Sequence, residues 1–215
     1  MQNIVNENVV SFINSFDRGD SIVCREIEKE ALATQVPIIR KEMAAFLKSF
    51  LAFAKPENIL EVGTAIGYSA ILMSENISPA ARITTIENYD KRIPIARENI
   101  KKAGKEDVIT LIEGDAANVL KELEGPYDFI FMDAAKAQYI VILPDILRLL
   151  RKGGVLITDN VLQEGEITRP RYGVTRRNRT IYDRMREYLY EVTHNDGLVS
   201  SIIPLGDGIT FSVRK

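Results

Sequence analysis

Short apolar runs alternate with amphipathic stretches from residue 56 onward, and this alternation does most to narrow the folds open to the chain. The apolar runs cover residues 58–62, 82–87, 108–114, 127–133 and 154–159. The stretches between them, such as DKRIPIARENIKKAG, have the polarity pattern of surface helices. Strands that alternate with helices at about 25-residue intervals predict βαβ units. The sequence therefore predicts an α/β fold with a doubly wound, mostly parallel sheet.

The two ends of the chain depart from this alternation. Residues 1–55 have helical periodicity and helix-forming composition, which predicts an N-terminal helical extension. The closing segment LVSSIIPLGDGITFSVRK has two strand-like runs around a glycine-rich turn at 206–208, so an antiparallel hairpin is predicted. No repeat or linker interrupts the 215 residues, and we expect one domain over 1–215 whose sheet core covers 56–215.

Finer predictions concern three helices. One is expected to start directly after Pro37, and another to be kinked or split by the internal Pro144. A third is expected from Thr175 to His194, because apolar residues recur there at spacings of three and four residues. Its predicted buried face consists of Ile181, Met185, Tyr188 and Val192.

Composition excludes several classes of protein. The chain is 46% hydrophobic and 27% charged, which is ordinary for a globular protein and unlike a disordered or collagen-like one. No apolar run approaches the ~18 residues that a membrane helix needs, and the N-terminus lacks the features of a signal peptide. The single cysteine, Cys24, allows neither an internal disulfide nor a cysteine metal cluster. We expect a soluble cytoplasmic protein without a membrane partner.

Polar residues follow the first three predicted strands, at the edge where open α/β sheets bind ligands. The first strand leads from Glu61 to Ser69 through Gly63, where the main chain can approach a ligand closely. Glu87 ends the second strand and suits the two ribose hydroxyls of a nucleoside, while Asp115–Ala116 follows the third and suits an adenine amino group. Each acid could instead cap the next helix, but their repetition at three strand ends favours a nucleoside ligand.

The fourth and fifth predicted strands end in oxygen-rich groups. Asp133 and Lys136 follow the fourth, and Asp159 and Asn160 follow the fifth. Two carboxylates and an amide oxygen suit Mg²⁺, whereas hydride transfer from a nicotinamide dinucleotide needs no such cation. Methyl transfer from S-adenosylmethionine to a hydroxyl group benefits from one, and Lys136 could accept the proton. Alternatively, Asp159 and Asn160 only cap a turn and Lys136 only pairs with an acid.

Six separated motifs occur in order between residues 35 and 215, namely ILEVGTAIGYSAI, IE at the second strand, EGDA, FMDAAKAQY, LITDNVL and GDGITFS. Together they resemble the metal-dependent class I O-methyltransferases of the catechol and caffeoyl-CoA type, which use S-adenosylmethionine. The resemblance implies a Rossmann-like sheet of seven strands, the last of them antiparallel, and a homodimer.

The resemblance also implies roles for individual residues. Asp133, Asp159 and Asn160 would hold the metal, and Lys136 would be the base in a catalytic centre that includes Asp133. The main chain of 36–39 would contact the methionine end of the methyl donor. With the residues already placed at strand ends, the candidate cofactor set is Ile39, Glu61, Gly63, Ser69, Glu87, Asp115, Ala116 and Asp133.

Arginines are concentrated between residues 169 and 186. Seven arginines and one acid give this segment a local charge of +6, although the whole chain has a net charge of −2. VPI, GTAIGYSAI, DAAKAQY, TDNVL and IIPLGDG, together with these arginines, resemble the bacterial tRNA 5-hydroxyuridine methyltransferases, which form 5-methoxyuridine at the wobble position. The candidate RNA-binding residues are Arg169, Arg171, Arg176, Arg177 and Arg179.

A segment with a charge of +6 suits the closely spaced phosphates of a tRNA anticodon region, and no DNA partner is expected. The arginines could instead form a solvated helix face or a dimer contact. Three other functions stay open at this point: O-methylation of a small catechol-like phenol, nicotinamide-dependent oxidoreduction, and RNA binding without catalysis. The predicted metal ligands argue against the last two.

Overall fold

The computed structural model describes residues 4–215, and a seven-stranded sheet lies at the centre of this part of the chain. The strand order is β3-β2-β1-β4-β5-β7-β6. Strands β1 to β5 are parallel, and β7 runs antiparallel to both β5 and β6. This confirms the predicted sheet and its C-terminal hairpin. The strands are β1 (Asn58–Val62), β2 (Arg82–Glu87), β3 (Ile109–Glu113), β4 (Tyr127–Met132), β5 (Leu150–Thr158), β6 (Leu198–Ile203) and β7 (Ile209–Arg214).

Eight α-helices flank the sheet within residues 4–215, and none of these is long and apolar enough to cross a bilayer. The first three form the predicted N-terminal extension, whose residues 1–3 lie outside the described part. The helices are α1 (Glu7–Asn14), α2 (Ile22–Thr34), α3 (Lys41–Ala54), α4 (Tyr68–Ser74), α5 (Ile93–Lys102), α6 (Ala116–Glu122), α7 (Tyr139–Leu149) and α8 (Arg179–His194).

Three of the finer helix predictions are wrong in detail. Helix α3 begins at Lys41 rather than directly after Pro37, because the intervening residues run in a non-helical segment that borders a cavity. Helix α7 is not split at Pro144, because its buried apolar face holds it against the sheet; a kink there stays a prediction. Helix α8 begins at Arg179, after a short 3₁₀ turn.

The buried face of α8 is formed with Tyr182 in place of the predicted Ile181, which is only half-buried. The Tyr182 hydroxyl donates a hydrogen bond of 2.8 Å to the carbonyl of Arg169. A buried tyrosine needs such a partner for its polar end, and helical spacing does not reveal where one will be.

Two apolar clusters lie on opposite faces of the sheet because successive strand residues point to opposite sides. On one side, Phe129 packs at a ring-centroid distance of 4.8 Å against Phe50 of α3, under helices α2 to α5. On the other side, Ile130 packs in the cluster formed with helices α6 to α8. Both faces are therefore covered, which explains why the strands have continuous apolar sequences rather than alternating ones.

We expect Phe129→Ala to lower the free energy of unfolding by about 3–5 kcal/mol, because it leaves a cavity under α3. Phe53→Ala is the matched control, since Phe53 of the same helix layer is 89% exposed and should change stability by less than about 0.5 kcal/mol. Urea unfolding of both variants measures the difference. Similar losses in the two would show that the sheet face is not the packing core.

Candidate active site

A cavity of about 480 Å³ opens at the carboxyl ends of β1, β2 and β4. Its walls come from the segment before α3, the loop after β1, the start of the loop after β2 and the turn after β4. Six of the predicted cofactor residues line it, namely Ile39, Gly63, Ser69, Glu87, Ala116 and Asp133. The sheet topology thus gathers into one cavity residues that are far apart in the sequence.

The loop after β1 approaches β4 so closely that only glycine fits at position 63. Gly63 has φ +105°, and a Cβ there would lie 2.0 Å from the carbonyl oxygen of Asp133. The Asp133 amide donates a hydrogen bond of 2.9 Å to the carbonyl of Val62, which joins the two strand ends. Gly67, with φ +90°, then starts α4. Gly63 thus lines the cavity, and the loop that it permits leads through Gly67 into α4.

Glu87 holds this loop from the neighbouring strand. Its carboxylate accepts three main-chain hydrogen bonds, from Ala65 at 2.8 Å, Asn88 at 3.0 Å and Tyr89 at 2.9 Å. Helix α5 begins only at Ile93, so Glu87 does not cap it. Because a carboxylate has about four lone-pair sites, the acid keeps some capacity for a ligand in the cavity it lines.

Asp115 fulfils the alternative prediction, since it caps helix α6. Its Oδ1 accepts a hydrogen bond of 2.9 Å from the Ala117 amide, and its Oδ2 accepts one of 3.3 Å from Gln138. Gly114 and Ala116 on either side line the cavity, as does Gln138. Asp115 therefore orients a cavity residue that the sequence did not single out.

Glu61 is fully buried at the end of β1, behind the residues that line the cavity. Thr85 donates a hydrogen bond to its Oε2, and Oε1 has no hydrogen-bond partner among residues 4–215. Burial raises the pKa of Glu61 to about 7, although the Ser69 and Thr85 hydroxyls lower it. The charges of Asp133 and Glu87 raise it further. The sequence predicted a cofactor contact here, whereas the structure places a carboxyl group behind the cavity wall.

The three predicted metal ligands lie together at the end of β4 and β5. The Asn160 side-chain amide donates to Asp133 Oδ1 at 2.9 Å, and its main-chain amide donates to Asp159 Oδ1 at 2.6 Å. Asn160 has φ +63°, an uncommon conformation for a non-glycine residue. Asp133 and Asn160 line the cavity, whereas Asp159 is only 4% exposed and lies behind them.

The chemistry of this corner fits a hard divalent cation. Within residues 4–215, Asp133 Oδ2, Asp159 Oδ2 and Asn160 Oδ1 accept no hydrogen bond. Burial raises the pKa of both carboxyls, and the charges of Asp133 and Asp207 raise that of Asp159 further. No group of three or more His, Cys, Asp or Glu side chains in this range could hold a metal, so the donors are two acids and an amide. Mg²⁺ accepts such a set because it keeps several waters.

Lys136 lines the cavity three residues beyond Asp133 and forms an ion pair that the sequence left open as an alternative. Its Nζ lies 3.3 Å from Oδ2 of Asp207, which is 5% exposed. The sequence pattern predicts Asp207 only as part of a turn and does not indicate its place at the site. The only signal was its position within the matched motif GDGITFS.

The predicted RNA-binding arginines lie in the segment that leads into α8, and all of them except Arg179 are exposed. Arg171 pairs with Asp183 at 2.8 Å, and Arg179 donates to the carbonyl of Val174 at 3.2 Å. Arg184 donates to the carbonyl of Ala137, at 3.1 Å, and so joins α8 to the turn that carries Lys136. Among the seven arginines of residues 169–186, three have exposed side chains with no partner among residues 4–215. They are Arg169, Arg176 and Arg177.

The strand order and the cavity at the carboxyl ends of the parallel strands are those of a Rossmann-like α/β protein. Asp133, Asp159 and Asn160 form an oxygen-donor corner beside this cavity. Residues 17–215 match the sequence model of a family described as O-methyltransferase, and the chain belongs to this family. Its fold is the Rossmann-like methyltransferase fold.

Curated relatives include enzymes for two kinds of substrate. The catechol O-methyltransferase of Mycobacterium tuberculosis is 29% identical over 163 residues, 74% of each chain. The caffeoyl-CoA O-methyltransferase of Stellaria longipes is 32% identical over 182 residues, 80% of this chain and 74% of that one.

Two solved structures are similar over nearly their whole length. The O-methyltransferase from Bacillus cereus, in complex with SAH, has a TM-score of 0.85 at 26% identity and is matched over 97% of both chains. The SAH-bound methyltransferase PaMTH1 of Podospora anserina has a TM-score of 0.87 at 28% identity, with 98% of this chain and 97% of that one covered.

We expect Glu61→Gln to stabilise the chain at pH 8 and to have a smaller effect at pH 5. The folded-state pKa of about 7 lies above the ordinary value of 4.5, so the folded chain keeps a proton that the unfolded chain loses between these values. Stability therefore falls as the pH rises through this window, by about 3 kcal/mol at most. Denaturant unfolding at both pH values measures the gain, with exposed Glu57→Gln as control. A gain that does not depend on pH would contradict the assignment.

Proposed function

We propose that the protein catalyses S-adenosylmethionine-dependent, Mg²⁺-assisted O-methylation of 5-hydroxyuridine at the wobble position of tRNA, giving 5-methoxyuridine. The observation that carries the proposal is the continuity between the oxygen-donor corner and the arginine surface. Asn160 is the last of the three oxygen donors along the chain. A segment with 3₁₀ turns, Gln163–Thr168, follows it, and Arg169 begins the basic segment.

The methyl donor is supported by the cavity and by the family. Glu87 faces a space that also receives Ile39, Gly63 and Ser69, as a nucleoside with a charged amino-acid end requires. Related O-methyltransferases of this fold are described as SAH-bound. The residues thus fit S-adenosylmethionine, with Glu87 at its ribose and Asp133 near its methionine end.

In the proposed reaction, S-adenosylmethionine supplies an electrophilic methyl group when bound, and Mg²⁺ supplies positive charge that favours an ionised hydroxyl. Asp133, Asp159 and Asn160 would hold the cation through their three free oxygens. As a neutral amine, Nζ of Lys136 would accept the proton of the substrate hydroxyl from its position on the cavity wall, and a cation bound at the neighbouring oxygens would favour that neutral form. The main chain of 37–39 closes the cavity on the donor side.

The tRNA substrate is supported by the position of the unpaired arginines. Arg169 borders an open basin of about 570 Å³ that also includes Arg186 and Tyr182, and Arg186 lies 5.5 Å from the Tyr182 ring. Cationic and aromatic side chains together suit the phosphates and bases of a single-stranded loop. Arg184 of the same segment contacts the turn that carries Lys136, through the carbonyl of Ala137, which supports a surface continuous with the cavity.

O-methylation of a small catechol-like phenol is the second candidate, and the named activities of the curated relatives favour it. It needs the same donor, cation and base, but it leaves the arginine segment without a substrate role. In that case the arginines would serve a dimer contact or a solvated face. The homodimer itself stays a prediction from the resemblance.

We expect Asp159→Ala to abolish methyl transfer and to leave S-adenosylmethionine affinity within about threefold of wild type, because the donor is held mainly by β1 to β3. Asp145→Ala is the control and should keep full activity, because Asp145 lies on α7 outside the cavity lining and its side chain pairs with Arg148. Isothermal calorimetry and a Mg²⁺ titration of activity measure both properties. An active variant that still requires metal would remove Asp159 from the site.

We expect joint replacement of Arg169, Arg176 and Arg177 by Ala to weaken tRNA binding by about 10- to 50-fold, because three phosphate contacts are lost. The salt dependence of binding should flatten at the same time, since each lost contact releases about one counterion fewer. The control removes equal charge from three other exposed sites, Lys29, Lys101 and Lys152.

Methylation of free 5-hydroxyuridine or of a catechol, assayed in parallel, separates the two candidate functions. If tRNA is the substrate, the arginine variant loses activity on tRNA and keeps any activity on the small compound. Equal loss on both would indicate a dimer contact, and unchanged activity on tRNA would indicate a solvated face. Either result would refute RNA recognition by this segment.

A further inference from the structure

Asp207 lies at the tip of the β6–β7 hairpin, where the turn is fixed against the chain that follows Asn160. The Leu162 amide donates to the carbonyl of Asp207 at 3.0 Å, and the Val161 amide donates to that of Gly208 at 2.9 Å. Gly208 has φ +80°, and a Cβ there would lie within 2.2 Å of the Leu162 side chain. The turn therefore has little freedom to move.

The two carboxylate oxygens of Asp207 have different partners. Oδ1 accepts a hydrogen bond from the main-chain amide of Glu164, and Oδ2 forms the ion pair with Lys136 Nζ at 3.3 Å. The Asp207 side chain is 5% exposed, whereas that of Lys136 is 34% exposed. A buried carboxylate on a rigid turn thus holds the end of a side chain that reaches the cavity wall.

This contact bears on catalysis because a lysine side chain has four rotatable bonds and would otherwise sample many positions. A base must be neutral and lie within hydrogen-bond reach of the proton that it accepts. A neutral amine still donates a hydrogen bond to the Asp207 carboxylate, so the contact can fix the nitrogen in the form that reacts. We propose that Asp207 is a positioning residue that holds Lys136 Nζ at the cavity while its other oxygen holds the loop after Asn160. This inference rests on the proposed function, since it takes Lys136 as the base.

Asp207→Asn and Asp207→Ala separate the two contacts. The amide of Asn keeps an oxygen for the Glu164 main chain but removes the ion pair, whereas Ala removes both. We expect Asp207→Asn to lower kcat by about 10- to 100-fold and to leave the KM for S-adenosylmethionine within about twofold. Asp207→Glu, which retains the charge, should recover part of the loss. The substrate is whichever of the two candidates the wild-type chain methylates.

A double-mutant cycle with Lys136→Met tests whether Asp207 acts through the lysine. The loss caused by Asp207→Asn should disappear in the Lys136→Met background. Asp128→Asn is the matched control, because Asp128 also joins main-chain amides, those of Glu57 and Asn58, to a cation, here Arg151. Asp128 lies at the amino end of β4, whereas the cavity lies at the carboxyl ends of the strands. Its replacement by Asn should therefore lower stability without lowering kcat.

A second measurement does not depend on activity. Acylation of Lys136 by acetic anhydride, followed by peptide mass spectrometry of the whole chain, reports how much of its amine is both accessible and neutral, and so whether the carboxylate still holds it. Loss of the ion pair in Asp207→Asn should raise the labelling rate about two- to fivefold, and Asp128→Asn should leave it unchanged.

The outcomes distinguish this inference from the proposed function. Equal losses in the wild-type and Lys136→Met backgrounds, or an unchanged labelling rate, would overturn the positioning role of Asp207 while leaving Lys136 as the base. A fully active Lys136→Met variant would refute the base itself, and the inference with it. Activity on the phenol alone would refute the tRNA substrate and leave the inference standing.

Discussion

The contact between the end of β1 and the end of β4 is the constraint on which the site depends. Gly63 must lie in the left-handed region, and no Cβ could fit there against the carbonyl of Asp133. The amide of Ala65 donates a hydrogen bond to the carboxylate of Glu87, which joins the loop after β1 to the end of β2. Asp133, Glu87 and the cavity between them are therefore placed by one close main-chain approach.

Negative charge is the second constraint at this edge of the sheet. Glu61, Asp133 and Asp159 are buried acids whose pKa values are raised, first of all by burial. Lys136 lies beside two of the acids, and its charge lowers the pKa of both Asp133 and Asp159. Uncompensated buried charge lowers the stability of the folded chain, so binding of a cation beside these acids would be favourable. The same arrangement that weakens the folded state without ligand favours binding of a positively charged group at this corner.

Much of the fold followed from the sequence because buried parallel strands and their connecting helices leave strong local patterns. The gathering of the strand ends, and of Asp133, Asp159 and Asn160 among them, was predictable for the same reason, since chain topology brings such ends together. Asp207 was not, because its role depends on a contact with Lys136 across 71 residues of sequence. Tyr182 replaced Ile181 on the buried face of α8 for a related reason, a hydrogen bond to a distant carbonyl.

The arginine segment shows why charge counted along a sequence overstates the charge that is available to a partner. Arg171 is neutralised by Asp183, and Arg179, Arg184 and Arg186 are tied to main-chain carbonyls of the protein itself. Those bonds fix the path of the loop and of α8, so these arginines help to build the surface whatever it binds. Among the arginines of this segment, Arg169, Arg176 and Arg177 are the ones whose guanidinium groups have no partner within residues 4–215. The proposed recognition of RNA by this segment would therefore depend on Arg169, Arg176 and Arg177, in a segment whose path the other arginines fix.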